Sequence, residues 1–180
     1  MAWQGTLDGL CGPYAIVNAY DLCDIEEDWL GQDIFKFACS AIGNWPDVLW
    51  EGTTFKHMRT MLKACQKVLK SAYREADCAY PIRIEYPFRT NPPRSGKKFR
   101  KRLHRVFCRD DVICGIVGME EPAAHWFSFV KLERTVIVFD SAPASLGGMR
   151  RIRLDDLHIR AGRKREIVLN PAKLIVFCET

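Results

Sequence analysis

Cys11 is the residue whose neighbours in the sequence most favour chemistry. It lies in the segment Gly9-Leu10-Cys11-Gly12-Pro13, where a glycine-containing approach becomes an amphipathic helix. Because proline fits only the first turn of a helix, this helix is predicted to start near Gly12. A helix N-terminus carries partial positive charge and free N–H groups, so a thiol placed there loses its proton more readily. Cys11 is therefore a candidate nucleophile, and Gly12 is expected to let a substrate backbone come close.

His125 and Asp140 are the candidates to assist a Cys11 thiolate. Such a nucleophile needs a base to hold its proton and a further group to orient that base. His125 opens one predicted strand and Asp140 closes the next. If the two strands form a hairpin through residues 133–134, both side chains meet at its open end. The Gln4 side-chain amide, together with the backbone N–H of Cys11, is placed to donate to an oxyanion.

This order of residues resembles the papain-like cysteine peptidases, in which a Gln is followed by Cys-Gly opening a helix, then by a His starting a strand, then by Asp or Asn. Within that group the chain is most similar to the peptidase domains that cut leader peptides after double glycine in bacteriocin export, and to their stand-alone relatives. Gly12 with its small-residue helix, and Gly52-Thr53 before a later helix, agree with that family. The resemblance covers about Trp3 to Leu157. It departs at Gln4, which lies one residue further from the cysteine than is usual there.

The resemblance implies both a fold and an activity. The fold is α+β and papain-like, with N-terminal helices packed on an antiparallel sheet and the catalytic cysteine at a helix N-terminus. Residues 1–180 then form one peptidase domain, with a basic insertion at about 91–105 that the family does not explain. The implied activity is cleavage of a protein or peptide after Gly-Gly, through a Cys11-His125-Asp140 triad and a thioester. No cofactor or metal is expected. The bulky, uncharged neighbours expected to narrow the groove around a substrate glycine are Leu10, Tyr14 and Trp126.

Other functions remain open at this point. The same residues on this fold also support acyl transfer or glutamine deamidation, since both reactions pass through a thioester. A different class is a non-enzymatic module that binds an acidic protein or nucleic acid through the basic run Lys97 to Arg105. For that run a solvated amphipathic helix is the leading interpretation, an acidic protein surface the second and nucleic acid the third. The settings considered are a processing enzyme and the toxic domain of a bacterial effector, held off by an inhibitor (immunity) protein.

The elements that must position these residues follow from apolar periodicity. Helices are predicted from near Gly12, over about Ile25 to Ala41, and after Gly52 with Thr53 or Thr54 as N-cap. A short helix over 97–107 follows a proline-containing loop. The pattern after Tyr73 changes to alternation and short apolar runs, which predict strands at 82–86, 112–117, 126–132, 135–139, 149–154 and 174–177. Helices first and strands second are typical of an α+β domain with an antiparallel sheet.

Composition narrows the class of protein. The 180 residues are 48% hydrophobic and 27% charged, which is ordinary globular composition and excludes a disordered chain. No apolar run approaches the ~18 residues of a membrane span, and the first residues lack the pattern of a secretory signal, so neither is expected. The net charge of +5 is compatible with an acidic partner.

The cysteines and histidines are interpreted mainly as structural. The sequence has no Cys-x-x-Cys pair, which argues against a zinc ribbon or a thioredoxin-type site. Most of the eight cysteines are therefore predicted to be reduced core residues, and this favours action in a reducing cytosol. His57 is predicted to be a partly buried helix residue. No pair of histidines has metal-ligand spacing.

Overall fold

In the computed structural model of the chain, successive strand residues are buried in two different clusters, one on each face of a six-stranded sheet. Among the described residues, three α-helices cover one face, and a fourth covers the other. The structure describes residues 9–25, 31–43, 48–49, 51–121, 123–132, 135–140, 148–162 and 167–180. Within these ranges the protein is α+β with an antiparallel sheet, which confirms that part of the predicted fold class, while the papain-like fold stays a prediction. No helix of this described part is both long and apolar enough to cross a membrane.

The helices begin where the sequence provides a start signal. They are α1 (Cys11–Leu22), α2 (Gly31–Ser40), α3 (Phe55–Glu75) and α4 (Gly96–Phe107). Pro13 lies in the first turn of α1, as expected. Thr54 caps α3, because its hydroxyl accepts from the His57 N–H at 3.2 Å while its own N–H donates to His57 Nδ1 at 3.3 Å. Ile25 is not helical, so the predicted start of the second helix is wrong at that residue; residues 26–30 lie outside the described ranges.

The strands form one sheet in the order β1-β6-β2-β3-β4-β5, with each neighbouring pair antiparallel. Their bounds are β1 (Ile82–Glu85), β2 (Val112–Glu121), β3 (His125–Leu132), β4 (Thr135–Asp140), β5 (Gly148–Arg153) and β6 (Val168–Glu179). The predicted β3–β4 hairpin is confirmed, with Leu132 opposite Thr135. β6 is longer than the strand predicted at 174–177, since it continues through Pro171. Proline cannot donate to a ladder, and the register with β2 shifts across this segment.

The two faces of the sheet belong to different cores. On β2, Ile116 joins a cluster with α1, α2 and α3, whereas the next residue, Val117, joins a cluster with α4. A strand buried on both faces reads as a continuous apolar run, which is the pattern at 112–117.

Helix α4 is part of the second core, and the prediction that its segment is an insertion relative to the peptidase family stays a prediction. Its apolar stripe of Phe99, Leu103 and Phe107 is buried against β2, β3 and β4. Truncating one of these phenylalanines to alanine is expected to cost about 3–5 kcal/mol of stability. The amphipathic interpretation of the basic run is therefore confirmed, and the charged side chains line the outer face of a packed helix.

Candidate active site

Cys11 is the first residue of α1, so the local structure matches the position expected for a thiolate. Leu10 is the N-cap and makes no side-chain capping hydrogen bond, which leaves the positive end of the helix without a competing side-chain acceptor at that position. The Cys11 side chain is 5% exposed, and its Sγ lies 4.0 Å from the carbonyl oxygen of Gly9. Cys11 thus lies nearly buried at the edge of the cluster that contains α1, α2 and α3.

His125 and Asp140 meet at one end of the β3–β4 hairpin. Ser128 lies opposite Phe139 in the ladder, so the first residue of β3 and the last residue of β4 come to the same end. The ring Nε2 of His125 lies 2.6 Å from Oδ1 of Asp140. The Asp140 residue is 2% exposed, and a carboxylate so far from water needs a partner such as this imidazole. The expected proximity of the two side chains is confirmed, while their catalytic roles stay predictions.

Cys11 completes the constellation from a different part of the chain. Its side chain is near enough to the His125 ring to be one of the two groups that raise the pKa of this histidine. Burial lowers the pKa of His125, but the hydrogen bonds to Asp140 and Cys11 and the charges of these groups outweigh it and raise the pKa to about 9. The arrangement therefore favours a protonated imidazole at neutral pH, which is the form that stabilises a neighbouring thiolate.

Thr53 joins the two halves of this site, a role that the sequence did not assign to it. Its hydroxyl donates to the carbonyl oxygen of Gly9 at 3.4 Å, two residues before the nucleophile. Its carbonyl oxygen accepts from the Trp126 indole N–H at 2.6 Å, one residue after the imidazole. The sequence signal was the pair Gly52-Thr53, and Gly52 has a φ of 81°, a backbone conformation that favours glycine.

Two residues expected to contact substrate make close contacts within the protein, and their contact with a substrate stays a prediction. A Cβ on Gly12 would lie 2.5 Å from Thr53 Cγ2 and 2.7 Å from Met58 Sδ, so the close approach that glycine permits is to the protein itself. The Trp126 ring is 4% exposed and stacks on Phe55, which leaves almost none of the indole for a substrate. The indole hydrogen bond explains why this ring is turned inward rather than towards a groove.

The roles expected for Leu10, Tyr14 and Gln4 stay predictions. Leu10 and Tyr14 are half-buried beside the nucleophile, and the Tyr14 ring centroid lies 5.0 Å from that of Phe35. Their contact with a substrate stays a prediction. Gln4, expected to donate to an oxyanion, lies outside the described residues.

A second thiol lies beside an imidazole, and the sequence analysis did not single it out. Cys108 Sγ is 3.2 Å from His104 Nδ1, one helical turn earlier, and 3.6 Å from the Lys131 ammonium nitrogen. Both Cys108 and His104 are exposed. All eight cysteines are free, four of them buried, two half-buried and two exposed.

The metal-ligating side chains that lie close together among the described residues are Glu85, Asp111 and Cys178. The Arg109 guanidinium already binds both carboxylates, with Nη1 at 2.7 Å from Glu85 and Nε at 2.9 Å from Asp111. These hydrogen bonds lower the pKa of Asp111. The cation that this cluster holds is therefore an arginine side chain.

Comparisons with known proteins place this chain in no group. No family model matches the sequence, and neither the curated proteins nor the solved structures contain a match.

Proposed function

We propose that this protein is a papain-like cysteine peptidase that uses Cys11 as nucleophile, His125 as base and acid, and Asp140 as the orienting group. The observation that carries the proposal is the 2.6 Å contact between His125 Nε2 and Asp140 Oδ1, in a ring whose pKa the nearby side chain of Cys11 also raises. A nucleophile, a base and an orienting group in this order form the minimal machinery for acyl transfer.

The proposed reaction assigns the chemical steps to Cys11 and His125. The Cys11 thiolate attacks a peptide carbonyl, and the carbonyl oxygen takes up the negative charge. As the first residue of α1, Cys11 has a backbone N–H with no preceding helical turn to accept it, so this N–H is available to the oxyanion. His125 then gives its proton to the leaving amine, which frees the new N-terminus and leaves a thioester on Cys11. Finally, neutral His125 takes a proton from water, and the resulting hydroxide attacks the carbonyl of the thioester. This attack releases the carboxylic acid and restores the Cys11 thiolate.

The substrate proposed is a protein or peptide cut after Gly-Gly. The residues flanking Cys11 from Gly9 to Tyr14 carry no charged side chain that could select a charged residue of the substrate. Leu10 and Tyr14 are the bulky neighbours left to restrict the groove, since Trp126 is turned into the core. A methyl group in a slot sized for glycine costs about 1–3 kcal/mol, which is roughly ten- to a hundredfold in rate.

The decisive experiment compares new protein N-termini in cells that express the wild type or Cys11→Ala. Termini that depend on Cys11 identify both the activity and the cleavage site. Replacing the glycines of a mapped site by alanine, one at a time, then tests the specificity. Cuts clustered after arginine or leucine would refute the Gly-Gly specificity and leave the peptidase intact.

The same experiment separates the related reactions. Deamidation converts a glutamine amide into an acid and raises the substrate mass slightly without a new terminus, whereas acyl transfer adds the mass of the acceptor. The absence of any Cys11-dependent product would favour the non-enzymatic binding module. An inhibitor protein, if this is an effector domain, should bind the wild type and Cys11→Ala alike when it covers the groove without reacting.

A further inference from the structure

Strand β5 forms one edge of the described sheet. Among the described residues it pairs only with β4. Three arginines, Arg150, Arg151 and Arg153, are exposed along it, and Met149 is 69% exposed. None of the three arginines forms an ion pair with a residue that the structure describes. The unpaired backbone N–H and C=O groups of such a six-residue edge strand are a template for a further strand, and the arginines disfavour a second copy of the strand while favouring a partner of opposite charge.

The opposite edge of the same sheet is protected. Strand β1 is shorter, with four residues. Its Arg83 pairs with Asp111 at 2.7 Å, and its Glu85 pairs with Arg109 at 2.7 Å. A very short edge strand is one way in which proteins limit pairing at an edge, and the ion pairs of β1 leave its charges already compensated. The contrast shows that the charge on β5 is not a general property of the sheet edges.

An apolar surface adjoins the arginines. The register places Met149 beside Phe139, and Arg151 beside Ile137, on one face of the sheet. On β3 the next positions of this face are Val130 and Leu132, and Leu132 is 43% exposed. Helices α1, α2 and α3 bury this face further along the sheet, but their cluster includes no side chain of β4 or β5. Half-buried apolar residues therefore continue to the edge and end beside positive charge.

We propose that β5 binds an extended, acidic segment of a partner protein by adding it to the sheet as a further strand. The residues of β5 determine the order of side chains that such a segment needs. Opposite Met149-Arg150-Arg151-Ile152-Arg153 the complementary order is apolar, acidic, acidic, apolar, acidic. The partner amides continue the backbone ladder, and its carboxylates pair with arginines on both faces of the strand.

A polypeptide fits this surface better than a nucleic acid. A phosphodiester backbone pairs with arginine but has no alternating N–H and C=O groups to continue a ladder at a strand edge. The apolar surface at Met149, Phe139 and Ile137 also has no counterpart in the phosphate backbone. Both features add to the binding energy only when the partner is an extended protein segment.

The surface lies beside the proposed catalytic site without sharing its groups. Gly148, the first residue of β5, is opposite Asp140 in the ladder, and the exposed arginines follow along the strand away from that end. Binding here goes beyond the peptidase proposal and holds whether or not the protein cleaves what it binds.

The test measures binding separately from cleavage, in the full chain carrying Cys11→Ala. The probe is a fluorescein-labelled peptide with valines and glutamates in the order Val-Glu-Glu-Val-Glu, made also in the reverse order because the direction of pairing is open. Fluorescence polarisation at physiological salt gives the Kd. The double variant Arg151→Glu/Arg153→Glu should weaken binding of the better peptide about tenfold or more. Hydrogen exchange of the amides at 148–153 should slow when that peptide is bound.

Two controls match the charge. The variant Lys63→Glu/Lys67→Glu makes the same change in net charge on the exposed face of α3, and it should weaken binding less than about twofold. A single-stranded oligonucleotide of equal charge should leave exchange of the β5 amides unchanged. Equal loss in the two double variants, unchanged exchange with the peptide, or slowed exchange with the oligonucleotide would overturn the proposal. Because exchange is measured on the unsubstituted strand, the result does not depend on the folding of the charge-reversed variant.

Discussion

The Cys11–His125 pair and the Cys108–His104 pair place the same two functional groups in opposite surroundings. Cys11 begins a helix and is 5% exposed, whereas Cys108 follows the end of α4 and lies in solvent. The imidazole beside Cys11 is held by a buried carboxylate, while the sulfur of Cys108 also contacts the ammonium of Lys131 at 3.6 Å. The first pair is made by residues far apart in sequence; the second is separated by one helical turn.

The difference shows what a thiol–imidazole contact needs in order to become catalytic machinery. Residues four apart in a helix meet without help from the rest of the fold, so the Cys108 contact follows from local geometry alone. At that end of α4 the helix dipole opposes negative charge on sulfur, whereas at the start of α1 it supports such charge. Among the residues that the structure describes, a carboxylate contacts the imidazole of the Cys11 pair and not that of the Cys108 pair.

The largest contrast is expected in activity. Replacing Cys11 by alanine should lower kcat/KM by about 10⁴-fold or more, because no other group can form the thioester. Replacing Cys108 by alanine should leave kcat/KM within about twofold of the wild type, since an exposed side chain away from the site is removed. The measurement is cleavage of a peptide spanning a mapped site. Comparable losses in the two variants would reject the assignment of the nucleophile, and circular dichroism checks that both remain folded.

The next contrast concerns thiol reactivity. In His125→Ala the alkylation of Cys11 by iodoacetamide should slow about a hundredfold, because a nearly buried thiol loses the base that holds its proton. In His104→Ala the alkylation of Cys108 should change less than about threefold, as expected of an exposed pair. Rates for each cysteine follow from mass spectrometry of tryptic peptides. His125→Asn, which keeps a polar partner for buried Asp140, guards against a loss of folding. If the alkylation rates of Cys11 and Cys108 changed by the same factor when the neighbouring histidine was replaced, the proposed difference between the two pairs would be wrong.

Asp140 should have an intermediate effect that depends on pH. Asp140→Ala removes a group that raises the pKa of His125 while burial, which lowers it, remains. In the wild type, activity should fall as pH rises through about 9, where the imidazolium loses its proton. In the variant this loss of activity with rising pH should occur at a lower pH, and kcat/KM at neutral pH should drop by about 10- to 10³-fold.

The same pKa shift has a consequence for stability. A histidine whose pKa rises from 6.5 to about 9 on folding stabilises the protein fully below pH 6.5, and this contribution is lost as pH rises through 9. Tm of the wild type should therefore decline across that interval more than Tm of Asp140→Ala. An exposed carboxylate, Asp155, supplies the control, since Asp155→Ala should change neither the pH profile nor this slope. If Asp140→Ala lost activity at the same alkaline pH as the wild type, the orienting role of Asp140 would be contradicted.

The smallest effect is expected at Thr53. Thr53→Val keeps the methyl group that packs against Gly12 but removes the hydroxyl that donates to Gly9, a loss of about 1 kcal/mol. If this bond positions the nucleophile, kcat should fall a few-fold while KM and the labelling of Cys108 stay unchanged. The neighbouring Thr54→Val removes the cap of α3 and should lower Tm by a similar free energy without changing kcat. Identical kinetics in the two variants would make Thr53 a purely structural residue.

The sequence predicted those parts of the fold that depend on local signals. Pro13 and Thr54 marked helix starts correctly because both act within a single turn. The β3–β4 hairpin was predictable because its two strands follow each other closely, and the meeting of His125 and Asp140 follows from that hairpin. The order of the sheet was not predictable, because the pairing of β6 with β1 and β2 joins segments distant in the chain.

The contacts that Gly12 and Trp126 make within the protein could not be predicted, for a common physical reason. Gly12 and Trp126 were assigned to a substrate because their residue types suit close approach and broad contact. Sequence does not reveal that Thr53 and Met58 occupy the space beside Gly12, nor that a backbone carbonyl accepts the indole N–H. A residue type indicates which contacts a side chain can make, whereas its neighbours in the fold determine whether it makes them with the protein interior or with a substrate. Cys108 was overlooked because the segment before it was interpreted only as a basic amphipathic helix, and His104 was counted as part of its basic run.

The position of β6 between β1 and β2 has a consequence for the order of events during synthesis. Cys11, His125 and Asp140 all leave the ribosome before β6 does, yet β2 then lacks its neighbour on that side. β6 also supplies Ile175 and Phe177 to the cluster that holds α1. A nascent chain that has reached Asp140 therefore contains every residue of the triad but not the sheet that aligns them. Under the proposed function, peptidase activity should appear only after translation has passed β6, so a nascent chain that has not reached β6 should leave the surrounding proteins uncut.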